Sequence, residues 1–144
     1  MIVYRITRPH RAGDLSGEGS RLYGGRWNQR GTPAVYCSST IALALLEVLV
    51  HVVDRRDLPA ALTITSIEVA NAELLQTLAP AASGDATQEF GTDVLHSDEP
   101  GFWVPSVVVP QERNLVLNPQ APRFGSAAKV IRTEALPIDA RLRG

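Results

Sequence analysis

A single cysteine, Cys37, leaves no disulfide framework and no thiolate cage for a metal. As a small apolar side chain its expected role is in the core, not as a nucleophile. The three histidines, His10, His51 and His96, lack zinc-ligand spacing and there is no HExxH motif, so no metal is expected. No apolar run approaches the ~20 residues that span a bilayer. The N-terminus, Met1-Ile2-Val3-Tyr4-Arg5, has no apolar signal core behind a basic region, so the expected location is the cytoplasm and no membrane partner is expected. Charge of one sign is also missing. A net charge of -1, with no basic stripe interleaved with aromatics, argues against direct binding of nucleic acid. Lysine is nearly absent: Lys129 stands against thirteen arginines. Arginine suits bidentate grips on phosphate and carboxylate, although genome composition explains such a bias as well.

The familiar nucleotide fingerprints are missing too. Gly17-Glu18-Gly19-Ser20-Arg21-Leu22 begins like GxGxxG but lacks the third glycine, with no strand directly before it and no clear helix after it. No GK[ST] ending marks a phosphate loop. Ser106 has no G-x-S-x-G elbow, which argues against a hydrolase nucleophile.

What is present is a chain of 144 residues, 44% hydrophobic and 20% charged, the size and composition of one globular domain over residues 1–144. Strand character falls at Ile2–Ile6, Ala34–Cys37, Leu62–Val69, Phe102–Val109, Leu115–Leu117 and Val130–Ile138. Pro105 marks the fourth of these as an edge strand or a bulge. Ile41–Val53 is the strongest helical segment, with Ser38-Ser39-Thr40 offering N-cap hydroxyls. Asn71–Leu78 suits a short helix and Pro80–Gly84 a loop. Gln88–Leu95 suits a weaker helix, interrupted by Gly91. From His10 to Pro33 lie six of the eleven glycines, a composition that predicts turns and short hairpin arms on the sheet surface. The expected class is α+β, with a mainly antiparallel or mixed sheet and a few helices.

Three segments carry possible chemistry. Within Ile41–Val53 only Glu47 and His51 are polar, and four residues apart they share one stripe. A helix apolar all round is usually buried on most sides. An ionised carboxylate there must therefore face a polar cleft or pair with an arginine. His51, near the helix end, fits a dipole-complementing role. In Gly24-Gly25-Arg26-Trp27-Asn28, two glycines that let a ligand approach the backbone precede an arginine that can grip phosphate or carboxylate. A tight turn with a surface arginine reads equally well. In Phe102-Trp103-Val104-Pro105-Ser106, the proline interrupts the ladder and allows Ser106 to turn towards a cleft as a donor. An ordinary strand serine bonded to a neighbour is the simpler reading of that segment alone.

Together these stretches resemble the RES-domain family, named for its Arg, Glu and Ser. The matching segments are Tyr4-Arg5, Leu15-Ser16-Gly17, Gly24-Gly25-Arg26-Trp27-Asn28, Val35-Tyr36 through Ala42-Leu43-Ala44-Leu45-Leu46-Glu47, Val104-Pro105-Ser106 and Asn114-Leu115-Val116-Leu117-Asn118-Pro119. The chain departs from many members at Gln120-Ala121-Pro122, where a histidine often follows the Asn-Pro pair.

The resemblance implies a fold similar to ADP-ribosyltransferase toxins, a toxin of a bacterial type II toxin–antitoxin pair, and NAD+ as substrate. It implies cleavage of the nicotinamide–ribose bond, with ADP-ribose passed to phosphate or water, or alternatively to a target protein. A non-catalytic nucleotide- or antitoxin-binding module is the remote alternative. The implied partners are a helix-turn-helix antitoxin, a possible protein acceptor and a possible homodimer. The implied catalytic positions are Arg26, Tyr36, Glu47 and Ser106, and those that bind NAD+ are Arg5, Arg26, Asn28, Tyr36 and Ser106. The chemistry suits a lone carboxylate. Nicotinamide leaves as a neutral base from a cationic precursor and needs no general acid, so Glu47 has only to stabilise the oxocarbenium-like ribose.

Overall fold

The computed structural model describes residues 1–70, 74 and 84–144. The helix expected over Asn71–Leu78 and most of the Pro80–Gly84 loop lie outside these, apart from single residues. The architecture is α+β, as expected. Strands β1 (Ile2–Thr7), β2 (Val35–Ser38), β3 (Ala61–Val69), β4 (Gly101–Pro105), β5 (Arg113–Leu117) and β6 (Ala128–Pro137) form one sheet in the order β4-β5-β2-β1-β3-β6. Every neighbouring pair is antiparallel. The α-helices among the described residues are α1 (Glu18–Tyr23), α2 (Ile41–His51), α3 (Asp85–Leu95) and α4 (Phe124–Ala127).

Alternation along the strands gives the sheet two apolar faces. One gathers Val3, Val35, Cys37, Ile67, Trp103, Leu115 and Leu117. On the other, two separate clusters form. Trp27, Phe102, Val104 and Val116 pack beneath α3, with Leu95 and Phe90 from that helix. Ile6, Leu62 and Ile64 pack beneath α2, against Ala44, Ile41, Leu45 and Val48.

Those two clusters are separate because the sheet is forked. β1 pairs with β3 over six register positions and β2 with β5 over four, but β1 and β2 share only Tyr4↔Ser38. Continuing that register would set Arg5 against Cys37 and Ile6 against Tyr36, and neither pair forms. Beyond the single rung the strands part, leaving β4-β5-β2 and β1-β3-β6 as two half-sheets.

Three expectations need correction. The segment 10–33 contains a 3-10 turn at Pro9–Arg11 and helix α1, with an isolated bridge Gly25↔Asn28, and no hairpin arms. Helix α1 directly follows Gly17, where no helix was clear, because Gly17 takes the left-handed backbone at its N-cap (φ 71°). The strand expected to run from Phe102 to Val109 stops at Pro105, at the sheet edge. Past it the Ser106 hydroxyl accepts hydrogen bonds from the amides of Val108 (3.2 Å) and Val109 (3.0 Å), which turns the chain despite three β-branched residues.

Candidate active site

Helix α2 starts where its sequence says it should. The Thr40 hydroxyl accepts from the Leu43 amide at 3.1 Å, completing the N-cap. The expectation that this helix is buried on most sides fails. Only Leu43 and Ala44 are buried, and Val50 is 51% exposed. The helix lies over the fork, where it packs on β1 and β3 but leaves space on its β2 side.

That space is a cleft of about 830 Å3, bordered by Tyr4, Arg5, Arg26, Tyr36, Glu47 and Asn114 among others. Its size suits a small-molecule site. Of the two fates open to Glu47, the structure gives the cleft: among the described residues its carboxylate meets neutral donors and no cation. Oε1 accepts the Ser106 hydroxyl at 2.7 Å and the Asn114 side-chain amide at 2.8 Å. Oε2 makes no hydrogen bond among the described residues. Because Ser106 receives two amide protons at its oxygen, its single proton is directed to Glu47. Ser106 is nearly inaccessible at 2% exposure, so it reaches the cleft through Glu47. His51 borders the exposed end of the cleft, one turn further along α2.

The glycine and arginine segment forms a tight knot on the opposite side of Tyr36. Asn28 is fully buried, and its amide donates to the carbonyls of Ser20 (2.8 Å) and Thr32 (2.9 Å). Its Oδ1 accepts the Tyr36 hydroxyl at 2.6 Å, and that hydroxyl in turn accepts from the Trp27 amide at 3.0 Å. Burial pushes the Tyr36 phenol well above its ordinary range, so it stays protonated and can donate. A Cβ on Gly25 would lie 2.7 Å from the Tyr36 oxygen and 2.8 Å from Asn28 Oδ1, which is why glycine stands there. Helix α3 braces the knot from outside. Thr87 donates to the Arg26 carbonyl (3.0 Å), Gln88 to the Gly25 carbonyl (2.8 Å), and Thr92 accepts from the Gln29 amide (2.9 Å). Gly91, expected to interrupt this helix, allows its contact with the loop: a Cβ there would sit 1.9 Å from the Trp27 carbonyl oxygen. Trp27, Phe90 and Phe102 complete the seam with edge-to-face contacts at 6.1–6.3 Å.

Arg26 stands on this base as an exposed side chain, and among the described residues its guanidinium makes no ion pair or hydrogen bond. Arg5 borders the cleft at the fork, and its buried Nε has no hydrogen-bond partner among the described residues. An arginine N–H left unsatisfied at the edge of a cleft fits an anionic ligand. The structure therefore brings Arg5, Arg26, Tyr36 and Glu47 to one cleft, with Ser106 behind Glu47. Asn28 is not at the surface of that cleft. It is saturated by the loop and can act on a ligand only by holding Tyr36 and Arg26. Sequence reasoning passed over Ser38, Asn114, Thr87 and Gln88. Ser38 was read only as an N-cap hydroxyl and Asn114 only as part of a family-matching stretch, and the partners of all four come from cross-strand register and helix docking.

Among the described residues no cluster of three His, Cys, Asp or Glu could hold a metal ion, and no helix is long and apolar enough to cross a membrane. Together the forked sheet, the bridging helix and the carboxylate define a small α+β protein with an open cleft at the fork between half-sheets. The RES domain matches residues 2–139, and the chain belongs to that family. It is 39% identical to Toxin Res of Photorhabdus laumondii over 99% of this chain and 97% of the relative. It is 37% identical to the Prs ADP-ribosylating toxin of Sphingobium sp. over 81% of this chain and 79% of that protein. In fold it is similar to a chain of the M. tuberculosis MbcT–MbcA toxin–antitoxin complex (TM-score 0.70, 24% identity, covering 94% of this chain and 84% of that one).

Proposed function

We propose that this protein is the toxin of a toxin–antitoxin pair and that it breaks the nicotinamide–ribose bond of NAD+, passing ADP-ribose to phosphate or water. The observation that carries the reading is a carboxylate with one oxygen held by two donors and the other without a hydrogen bond among the described residues, in the same cleft as Arg5, whose Nε has no partner there, and the exposed Arg26. Arg5 and Arg26 suit the pyrophosphate, and the Tyr36 ring suits one wall of the nicotinamide or its ribose. As the C–N bond breaks, its electron pair leaves with nicotinamide, and positive charge develops on the ribose. Glu47 Oε2 stabilises that charge directly or through a ribose hydroxyl. The names of the curated relatives support the toxin assignment, and an antitoxin partner follows from it, with a helix-turn-helix protein as the expected type.

Glu47→Gln keeps the shape and removes the charge. Purified Glu47→Gln is expected to release nicotinamide from NAD+ at least ~100-fold more slowly than wild type and not to arrest growth on expression. Release at the wild-type rate would overturn the mechanism.

A second acceptor, a protein side chain, is favoured by one relative's name and by the exposed valines Val50, Val107 and Val108 that border the cleft. Labelled NAD+ in cell extract separates the two. Soluble ADP-ribose or its phosphate supports degradation, and label on a discrete protein band supports transfer.

A further inference from the structure

We infer that Ser38 and Asn114 are positioning residues that fix which oxygen of Glu47 meets the substrate; the inference rests on the reading of Glu47 as the carboxylate that faces the ribosyl cation. The two are register partners across β2 and β5. The Ser38 hydroxyl donates to Asn114 Oδ1 at 2.7 Å, and Asn114 Nδ2 donates to Glu47 Oε1 at 2.8 Å.

The direction of this chain is set by chemistry. A carboxylate only accepts, so the amide must turn its nitrogen towards Glu47, and its oxygen is then left for the one proton Ser38 has. Ser38 is buried at 4% exposure and sits on the single rung that joins the half-sheets, where the backbone is held on both sides. Ser106 approaches the same oxygen from the turn just past β4, with its own proton direction fixed by two amides. Two donors, one on β5 and one just past β4, lock the carboxylate's rotation through Oε1 and leave Oε2 as the oxygen presented to the cleft. Ser106 alone would let the group pivot about one bond. Transition-state stabilisation by a single charge is sensitive to displacements of an ångström or less, so a lost pivot point reduces turnover more than binding.

Asn114→Asp is isosteric with the native side chain and replaces the donor to Glu47 with an oxygen that repels it. With thermal melting confirming that the variant folds, its kcat for nicotinamide release is expected to fall about 100-fold, with KM for NAD+ within about threefold of wild type. A kcat and KM both equal to wild type would overturn the inference, as would a change confined to KM.

A second measurement is independent of turnover. In wild type the Asn114 side-chain amide protons, seen by NMR, are expected to exchange with water slowly, and Ser38→Ala is expected to accelerate them at least tenfold. Equally fast exchange in both proteins would overturn the inference. If wild type releases no nicotinamide, the proposed function fails on that result alone, and the exchange experiment still decides whether this pair holds the carboxylate.

Discussion

Single side chains in this protein divide by what burial does to their protons. Cys37 is buried in the apolar cluster with Val3, Val35 and Leu115, and burial pushes its thiol up to about 12 from an ordinary 9. Below the unfolded value the thiol is neutral in both states and its burial is not opposed. As pH rises from about 9 towards 12, the unfolded chain ionises and the folded one does not, so stability falls across that window. Tyr36 is shifted in the same direction by the same cause and steepens the loss. Urea unfolding is expected to give a constant free energy from neutral pH to about 9, then a decline that Cys37→Ala makes shallower. The native thiol is also expected to resist alkylation at about pH 8 until denaturant is added. Rapid alkylation of folded protein would contradict the buried placement.

Elements show what periodicity conveys and what it misses. The strands were legible because β-branched runs alternate, and α2 was legible in its cap and length. Its burial was not: an apolar helix predicts contact on most sides, but the sheet beneath this one is forked, and a fork arises from pairing between distant segments. Glu47 and the Gly24–Asn28 loop were legible as departures from pattern, a charge among aliphatics and paired glycines before an arginine. Ser38 was legible only as one of three N-cap hydroxyls and Asn114 only as part of a family-matching stretch, because their pairing depends on register.

Gly91 illustrates the same limit. By propensity, Gly91→Ala should stabilise α3 by roughly 1 kcal/mol. A methyl group 1.9 Å from the Trp27 carbonyl oxygen must instead push the helix off the loop. The expected outcome is destabilisation of about 2–4 kcal/mol in urea unfolding, with slower nicotinamide release because Arg26 loses its base. A stabilised variant would show that α3 is not seated on the loop.

For the molecule as a whole, a ligand that touches both half-sheets should bind the folded state only and raise its melting temperature. With turnover removed by Glu47→Gln, NAD+ at about 100-fold above its dissociation constant is expected to raise Tm by roughly 5–10 °C. Adding Arg26→Ala should reduce the shift at the same NAD+ concentration. No shift with either protein would count against NAD+ as the occupant of the cleft.

Helix α2 has a mechanical consequence. Its apolar side is seated on β1 and β3, through Ala44 and Val48 against Ile6, Leu62 and Ile64. Its carboxylate is bonded across the gap to Asn114 on β5 and to Ser106 just past β4. Glu47 is therefore a clasp on the cleft side between two half-sheets that pair at one rung and share, on the other face, the apolar cluster around Val3, Val35 and Ile67. The oxygen that steadies the carboxylate thereby also ties the two halves of the sheet together where their strands have parted.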